Sequence, residues 1–283
     1  MLQSAVVRTE NGDTEPAEIG RGVRQGCLLS RMVADSEEGL QRLMDALSEI
    51  GKQYDMKINV KKTKVMRVCR KGSKKEGGNP VNITIDGQVV EQVNQFRYLG
   101  SLISDDGTCL AEIKSRIAMA KKAFNKRREL LTKRMSTKLK KKVIKTVVWS
   151  VALYGSETWT NWLNEKDKLE AFEMWTWRNM EGINWKDHVK NEEMLNRVDE
   201  KRQILDVILT RKKRWLGHIL RRESLVKDVL EGRFEGERRR GRPPAMMLDD
   251  ILGNESYATI KRRAMDREGW RKWMPRTCPR AEH

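Results

Sequence analysis

The side chains in this 283-residue chain that could do metal or acid–base chemistry are few and scattered. Two adjacent acid pairs, Asp105-Asp106 and Asp249-Asp250, and the lone Asp35 of Val33-Ala34-Asp35 are the carboxylates to weigh. Transfer of phosphoryl groups by two metal ions needs aspartates that converge from separate strands and hold the ions a few ångströms apart. The two pairs sit instead at a turn and a helix start, where capping backbone N–H groups is the expected role. Cys27, Cys69, Cys109 and Cys278 form no CxxC pair, and His188, His218 and His283 are not at zinc-ligand spacing with them. No metal is expected, and the thiols read as reduced ones inside a cell, in the nucleus or cytoplasm. The turn "GRGVRQG" at 20–26 is a site of another kind. Glycine lets a backbone approach a phosphate or base closely, and Arg24 and Gln25 offer donors to sugar and phosphate oxygens. Gly22 and Gly26 serve a turn equally well.

Charge is the strongest global signal. The net charge is +18. Residues 112–146 hold fourteen Lys/Arg against two acids, so two thirds of the excess lies in one short stretch. A second basic cluster runs from Arg211 to Arg242, while the first sixty residues are near balance. Such a distribution suits a polyanion, nucleic acid before an anionic membrane surface. Lys121, Lys122, Lys126, Arg127, Lys140, Lys141 and Lys142 are the expected backbone-contacting cations, reading charge and not sequence. The start "MLQSAVVRTENGD" has no apolar h-region and no run of about 18 apolar residues occurs, so neither secretion nor a membrane span is expected.

The elements that must position these residues divide into two kinds. With 38% hydrophobic and 35% charged residues, the core should be thin or divided. Residues 5–19 alternate loosely, with Asn11-Gly12-Asp13 as a hairpin turn. Asp35 or Ser36 caps a helix whose face carries Leu40, Leu43, Met44, Leu47, Ile50 and Tyr54. Strands are expected at 56–60 and 64–68, a loop at 71–80, a hairpin turning at Asp86-Gly87, and one further strand over "QFRYLGSLIS". After Gly107 the period becomes helical. Leu110, Ile113, Ile117, Ala120 and Phe124 form one stripe. Ser136 or Thr137 caps a helix carrying Leu139, Val143, Ile144, Val147 and Val151. Further helices fit 165–181, 191–198 and 202–222. The segment 233–244 is a basic Gly/Pro linker, and the tail after Asn254 is expected to pack weakly. The fold class is α+β, divided as 1–105, 106–232 and 233–283.

Five stretches carry a family resemblance in their order along the chain: "GVRQGCLLS" at 22–30, "MKINVKKTKVM" at 56–66, "FRYLGSLISDDG" at 96–107, "ALYGSETW" at 152–159 and "RGRPPAMMLDDI" at 240–251. Together they resemble the reverse transcriptase of non-LTR (LINE-type) retrotransposons, an RNA-directed DNA polymerase, from its palm into the thumb-like helices downstream. The resemblance implies a truncated palm, a short antiparallel sheet with its helix, followed by a mainly helical thumb-like region. It assigns Arg24, Gln25 and Gly26 to template and nucleotide contact. Lys62 becomes the palm lysine near the incoming triphosphate, with Asn59 and Thr63 beside it. Phe96, Tyr98, Leu99 and Gly100 become the primer-grip strand, although the first three read as core before contact. Tyr154, Trp159, Trp162, Trp175 and Trp177 read as helical core before base-stacking platforms.

The family's chemistry needs Mg²⁺ held by aspartates, one on a strand well before "GVRQG" and others in a Tyr/Phe-Ala-Asp-Asp hairpin beyond a long helix. The twenty-one residues before Gly22 resemble a linking hairpin and not that strand, and no endonuclease region precedes them. Ser30 is followed at once by Arg31-Met32 and "VADSEEGLQRL", whereas a stable helix needs about 10 or more residues. "VAD" has one aspartate, not two, and leads into a helix cap, and Leu28 stands where the family carries proline. The sequence thus reads as a palm with its middle excised. Three functions follow as expectations: a polymerase-inactive remnant that binds RNA or DNA non-specifically, a domesticated nucleic-acid- or protein-binding scaffold, or a coding remnant that folds poorly. The Arg-Gly-Arg-Pro of 240–243 is the core of an A·T minor-groove hook, and a solvated linker has the same composition.

Overall fold

A computed structural model describes residues 32–68, 80–132, 135–160, 163–232, 247–253 and 255–273, with backbone only for Leu163, Asn164 and Leu225. It also places the backbone of four short strands, β1 (Gln3–Ala5), β2 (Arg8–Thr9), β3 (Gly12–Asp13) and β4 (Ala17–Ile19). β2 pairs antiparallel with β3 and β1 with β4. Gly12 and Asp13, expected in the turn, therefore lie in a strand. Mixed α and β structure divides into two compact units, Met1–Gly107 and Thr108–His283.

In the first unit, α1 (Glu37–Gln53) begins at Ser36, whose Oγ accepts from the Gly39 N–H at 3.0 Å. Glu37 and Glu38 add negative charge at the positive end of the helix. The helix lies along the hairpin of β6 (Thr84–Ile85) and β7 (Gln88–Val89), which turns at Asp86-Gly87. Gln41 both donates to the Thr84 carbonyl and accepts from the Thr84 N–H, at 2.9 Å each, and so substitutes for a neighbouring strand. Lys52 and Ser48 hold Asp86 at 2.7 and 3.2 Å. The core is small: Val65, Ile83, Ile85 and Val90, with Leu40 and Met44 of α1 against them. Leu43, Ile50 and Tyr54 face outward, so the apolar face of the helix is narrower than its sequence suggests.

The sheet departs from expectation. Residues 56–60 form no strand. Asn59 instead organises a turn, accepting the Lys62 N–H on Oδ1 and the Thr63 N–H and Oγ1–H on its carbonyl. Only β5 (Lys64–Val65) survives of 64–68, and it pairs parallel with β8 (Glu91–Gln92). "QFRYLGSLIS" is not one strand but a hairpin, β9 (Gln95–Tyr98) and β10 (Ser101–Ser104). Its turn residues Leu99 and Gly100 both have positive φ, 48° and 84°. That is the turn whose twist matches paired strands. The described strands form separate two-stranded ladders in place of one antiparallel sheet.

The second unit is helical. α2 (Leu110–Asn125), α3 (Arg128–Thr132) and α4 (Thr137–Val143) lead into a π-helical turn (Ile144–Val148) and α5 (Trp149–Ala152). After a short 3-10 turn come α6 (Leu163–Glu181), α7 (Asn191–Val198), α8 (Ile204–Leu220) and α9 (Leu225–Glu231). α10 (Asp249–Leu252), α11 (Tyr257–Met265) and α12 (Arg267–Lys272) complete the described chain. The main core joins Ile113, Ala120 and Phe124 of α2 to Leu169, Phe172 and Trp177 of α6 and Ile204 and Ile208 of α8. Leu139, expected in it, is 47% exposed. A second cluster packs Leu216 and Leu220 of α8 against Ile251, Ile260, Ala264 and Trp270. Residues 255–273 are thus packed, contrary to expectation: their polar sequence hides three apolar anchors, Ile260, Ala264 and Trp270, that meet α8.

Candidate nucleic-acid interface

The basic stretch 112–146 is amphipathic for a simple reason. On α2 the apolar positions recur every three or four residues and turn Ile113, Ala120 and Phe124 inward. Lys114, Ala118 and Lys122, with Lys126 just past the helix end, fall on the opposite, exposed stripe. Four-residue steps place successive positions about 6 Å apart along the axis. Arg128, Lys138 and Lys142 are exposed as well, and the side chains of all six cations have no hydrogen-bond or ion-pair partner among the described residues. Lys114, Arg128 and Lys138 were absent from the sequence-based set. Their signal was available: each is spaced out of phase with the apolar stripe of its helix.

Other cations of the stretch serve the protein itself. Arg116 is buried, paired with Glu112 at 2.6 Å, its guanidinium 4.3 Å from the centre of the Tyr154 ring. Tyr154, expected in the core, is half-exposed beneath it. Lys121 lies 5.0 Å from the Trp175 ring centre. Arg127 is exposed and bends back to the Ala123 carbonyl at 3.3 Å. Lys140 donates to the Thr132 carbonyl at 3.1 Å. Lys141 donates to the carbonyls of Val198 and Asp199 at 2.8 and 3.1 Å, with Glu200 at 3.5 Å. Lys141 caps the end of α7 and is not a solvent-facing lysine, which corrects its place in the expected surface set. The helix dipole supplies the reason, since cations are stabilised at C-terminal carbonyls.

The second basic cluster divides the same way. Arg211 donates to the Leu153 carbonyl at 2.9 Å, Arg221 to that of Ala264 at 2.8 Å, and Lys213 to those of Arg271 and Trp273. Lys212 is fully buried and donates to the carbonyls of Trp159 and Met247 at 2.7 and 3.0 Å. Burial pushes the Lys212 ammonium below the usual lysine range, and Asp250 at 3.3 Å pulls it back. Asp250 also holds Lys166 at 3.2 Å. Asp250 is therefore an ion-pair residue and not a side-chain cap, as its helix-start position had suggested. Asp106 accepts from the Ser104 hydroxyl at 2.7 Å. The metal pair that the resemblance implies does not fit these acids: Asp250 is held by two lysines and Asp106 by a turn. Among the described residues no three His, Cys, Asp or Glu converge.

In the first unit, Lys62 stands exposed on the turn that Asn59 and Thr63 build, so those three do come together. Phe96 and Tyr98 are half-buried on one hairpin, and Leu99 is 47% exposed at its tip. Arg24, Gln25 and Gly26 lie outside the described residues, as do Trp162 and the 240–243 hook. Trp159 and Trp177 are buried and Trp175 partly so. No described helix is long and apolar enough to cross a membrane. Against protein-family models, curated proteins and solved structures, the chain has no match.

Proposed function

We propose that this chain is a remnant of a non-LTR retrotransposon reverse transcriptase that binds RNA or DNA through its phosphates and does not polymerise. The exposed, unpaired stripe Lys114–Lys122–Lys126 on α2 carries the binding half of this reading. Its cations have no carboxylate to neutralise them, which leaves them for an outside polyanion. The five motifs in family order support the origin. The abrupt join at Ser30-Arg31, with no room for the Tyr/Phe-Ala-Asp-Asp hairpin, supports the loss of chemistry.

A salt titration of RNA and of duplex DNA binding tests it. With roughly 5 phosphates neutralised, log affinity should fall with log salt at a slope near −3.5 to −4.5. Lys114→Gln/Lys122→Gln/Lys126→Gln should flatten the slope by about 2 to 3 units at every sequence alike. An unchanged slope, or a loss confined to one sequence, would refute the assignment. Primer extension with Mg²⁺ or Mn²⁺ should stay at the level of a denatured control. The apolar core of the helical unit favours a second reading, a retained binding scaffold over a remnant that folds poorly. A cooperative melt of the full chain is the observation that would support it.

A further inference from the structure

α8 presents basic side chains on two faces. Those on its inner face cap helices and a turn. On its outer face Arg214, His218 and Arg222 repeat at four-residue spacing, all exposed, and none has a partner among the described residues. Arg267, exposed at the start of α12, adds to the same end of the helix. It lies close enough to Arg221 that its like charge, after burial, helps hold that guanidinium below its usual range. Of the acids near this end, Glu223 is exposed and paired with Lys227 at 2.6 Å, Asp266 caps α12 through the N–H groups of Glu268 and Gly269, and Glu268 is exposed beside Arg267. Arg221 donates to the Ala264 carbonyl at 2.8 Å, three residues before Arg267, which keeps Arg267 at the Arg222 end of α8. The exposed arginines of this face have no carboxylate of their own among the described residues, and an external anion can supply the charge.

The place of this face matters as much as its charge. On α6, Trp175 receives Phe124 of α2 at 5.2 Å between ring centres. Glu173, two residues earlier, accepts the Gln203 N–H at the start of α8 at 3.0 Å. Two residues are about 200° around a helix axis. α2 and the start of α8 therefore meet different sides of α6, while Arg214, His218 and Arg222 lie further along α8, and both stripes are exposed.

We propose that Arg214, His218, Arg222 and Arg267 form a second phosphate-binding face, so that one chain holds two polynucleotide segments at once and bridges them. The bridging rests on the α2 stripe being the first face, as argued above. Each face is positioned by rigid helices, and each reads backbone charge, because no base-reading geometry is needed for the contact.

The test is a capture assay with the full chain. A biotinylated DNA duplex is fixed on beads, a fluorescent duplex of unrelated sequence is added, and its protein-dependent retention is measured. Wild type should retain the second duplex. Arg214→Gln/Arg222→Gln/Arg267→Gln should still bind one duplex through α2, with that salt slope unchanged, yet lose retention of the second. An unchanged helical spectrum and melt would show that the variant folds. If that variant retains the second duplex like wild type, the inference falls while the α2 reading stands. If instead Lys114→Gln/Lys122→Gln/Lys126→Gln alters neither slope nor retention, the α2 reading fails and bridging between two faces fails with it. A lower melting point with retention unaltered would assign these arginines to the helix dipole alone and would also overturn the proposal.

Discussion

Replacing Gly217 by alanine sets two physical effects of opposite sign against each other. Gly217 lies inside α8, where alanine is preferred over glycine by about 1 kcal/mol. In the fold, however, the Trp270 indole lies directly on Gly217. A methyl group there would overlap the ring, 2.9 Å from both Cδ1 and Cε2 and nearer still to Nε1. Trp270 is 4% exposed and its Nε1–H donates to the Lys213 carbonyl at 3.3 Å. Expelling the ring entirely would forfeit about 5 kcal/mol, taking roughly 200 Å² at 25 cal/mol per Å². Overpacking relieved by small shifts costs about 1–3 kcal/mol more commonly. Ring and anchor are on separate helices, so full relief without undocking α12 is not available. After the propensity gain of about 1 kcal/mol, Gly217→Ala should destabilise by up to about 2 kcal/mol if α12 shifts and by about 4 kcal/mol if the ring is expelled. Urea melts give the global change, and amide exchange over residues 257–272 locates it. A stabilisation near 1 kcal/mol with unaltered exchange would refute the docking of α12 on α8.

Adjacent lysines make a sharp control. Lys141→Gln should destabilise by about 1–2 kcal/mol, since it leaves the α7 carbonyls unpaired, whereas Lys142→Gln should stay within about 0.5 kcal/mol. Equal urea midpoints for the two variants would argue against the capping role. Burial pushes the Glu173 carboxyl above its usual range, against the pull of the Gln203 and Ile204 N–H groups. Folding thus favours its protonated form, and that contribution is present below the unfolded pKa and lost as pH rises through the folded value. Glu173→Gln should gain stability relative to wild type as pH rises above the usual carboxylate range. A difference that is flat, or that runs the other way, would show the carboxylate to be better stabilised than its burial implies.

Periodicity made the helical unit readable. α2, α6, α7 and α8 fall close to where apolar spacing placed them, because each buries a stripe against the others and the stripe dictates the period. Ser36 was readable as a cap from its hydroxyl and the acids that follow it. The short strands were not, because "MKINV" alternates like a strand while Asn59 is better used closing a turn through its own side chain. "QFRYLGSLIS" looks continuous because Leu-Gly is an unusual turn pair, with leucine bearing a positive φ that favours glycine or asparagine. The charged surface was legible in its bulk and not in its detail. Composition counts Lys141 and Lys142 alike, yet one is turned to the end of a neighbouring helix and the other to water. That neighbour lies more than fifty residues away, beyond any local pattern. The ion pair of Asp250 with Lys166 and Lys212 escaped notice for the same reason.

The π-helical turn at Ile144–Val148 bears on how this segment tolerates changes of length. A strict four-residue spacing such as Ile144, Val148, Ala152 drifts by about 40° per step on a regular α-helix. All three side chains are nonetheless buried. The turn closes its hydrogen bonds across five residues and takes up one residue more than an α turn does, which keeps the row in line. Deleting one residue between 144 and 148 would turn the widened turn into an ordinary α turn and leave Trp149 and Ala152 close to their present phase. The same deletion in a regular helix such as α6 would rotate everything beyond it by about 100°. The widened turn thus acts as a phase adjuster, the place in this segment where a residue can be lost without moving the core.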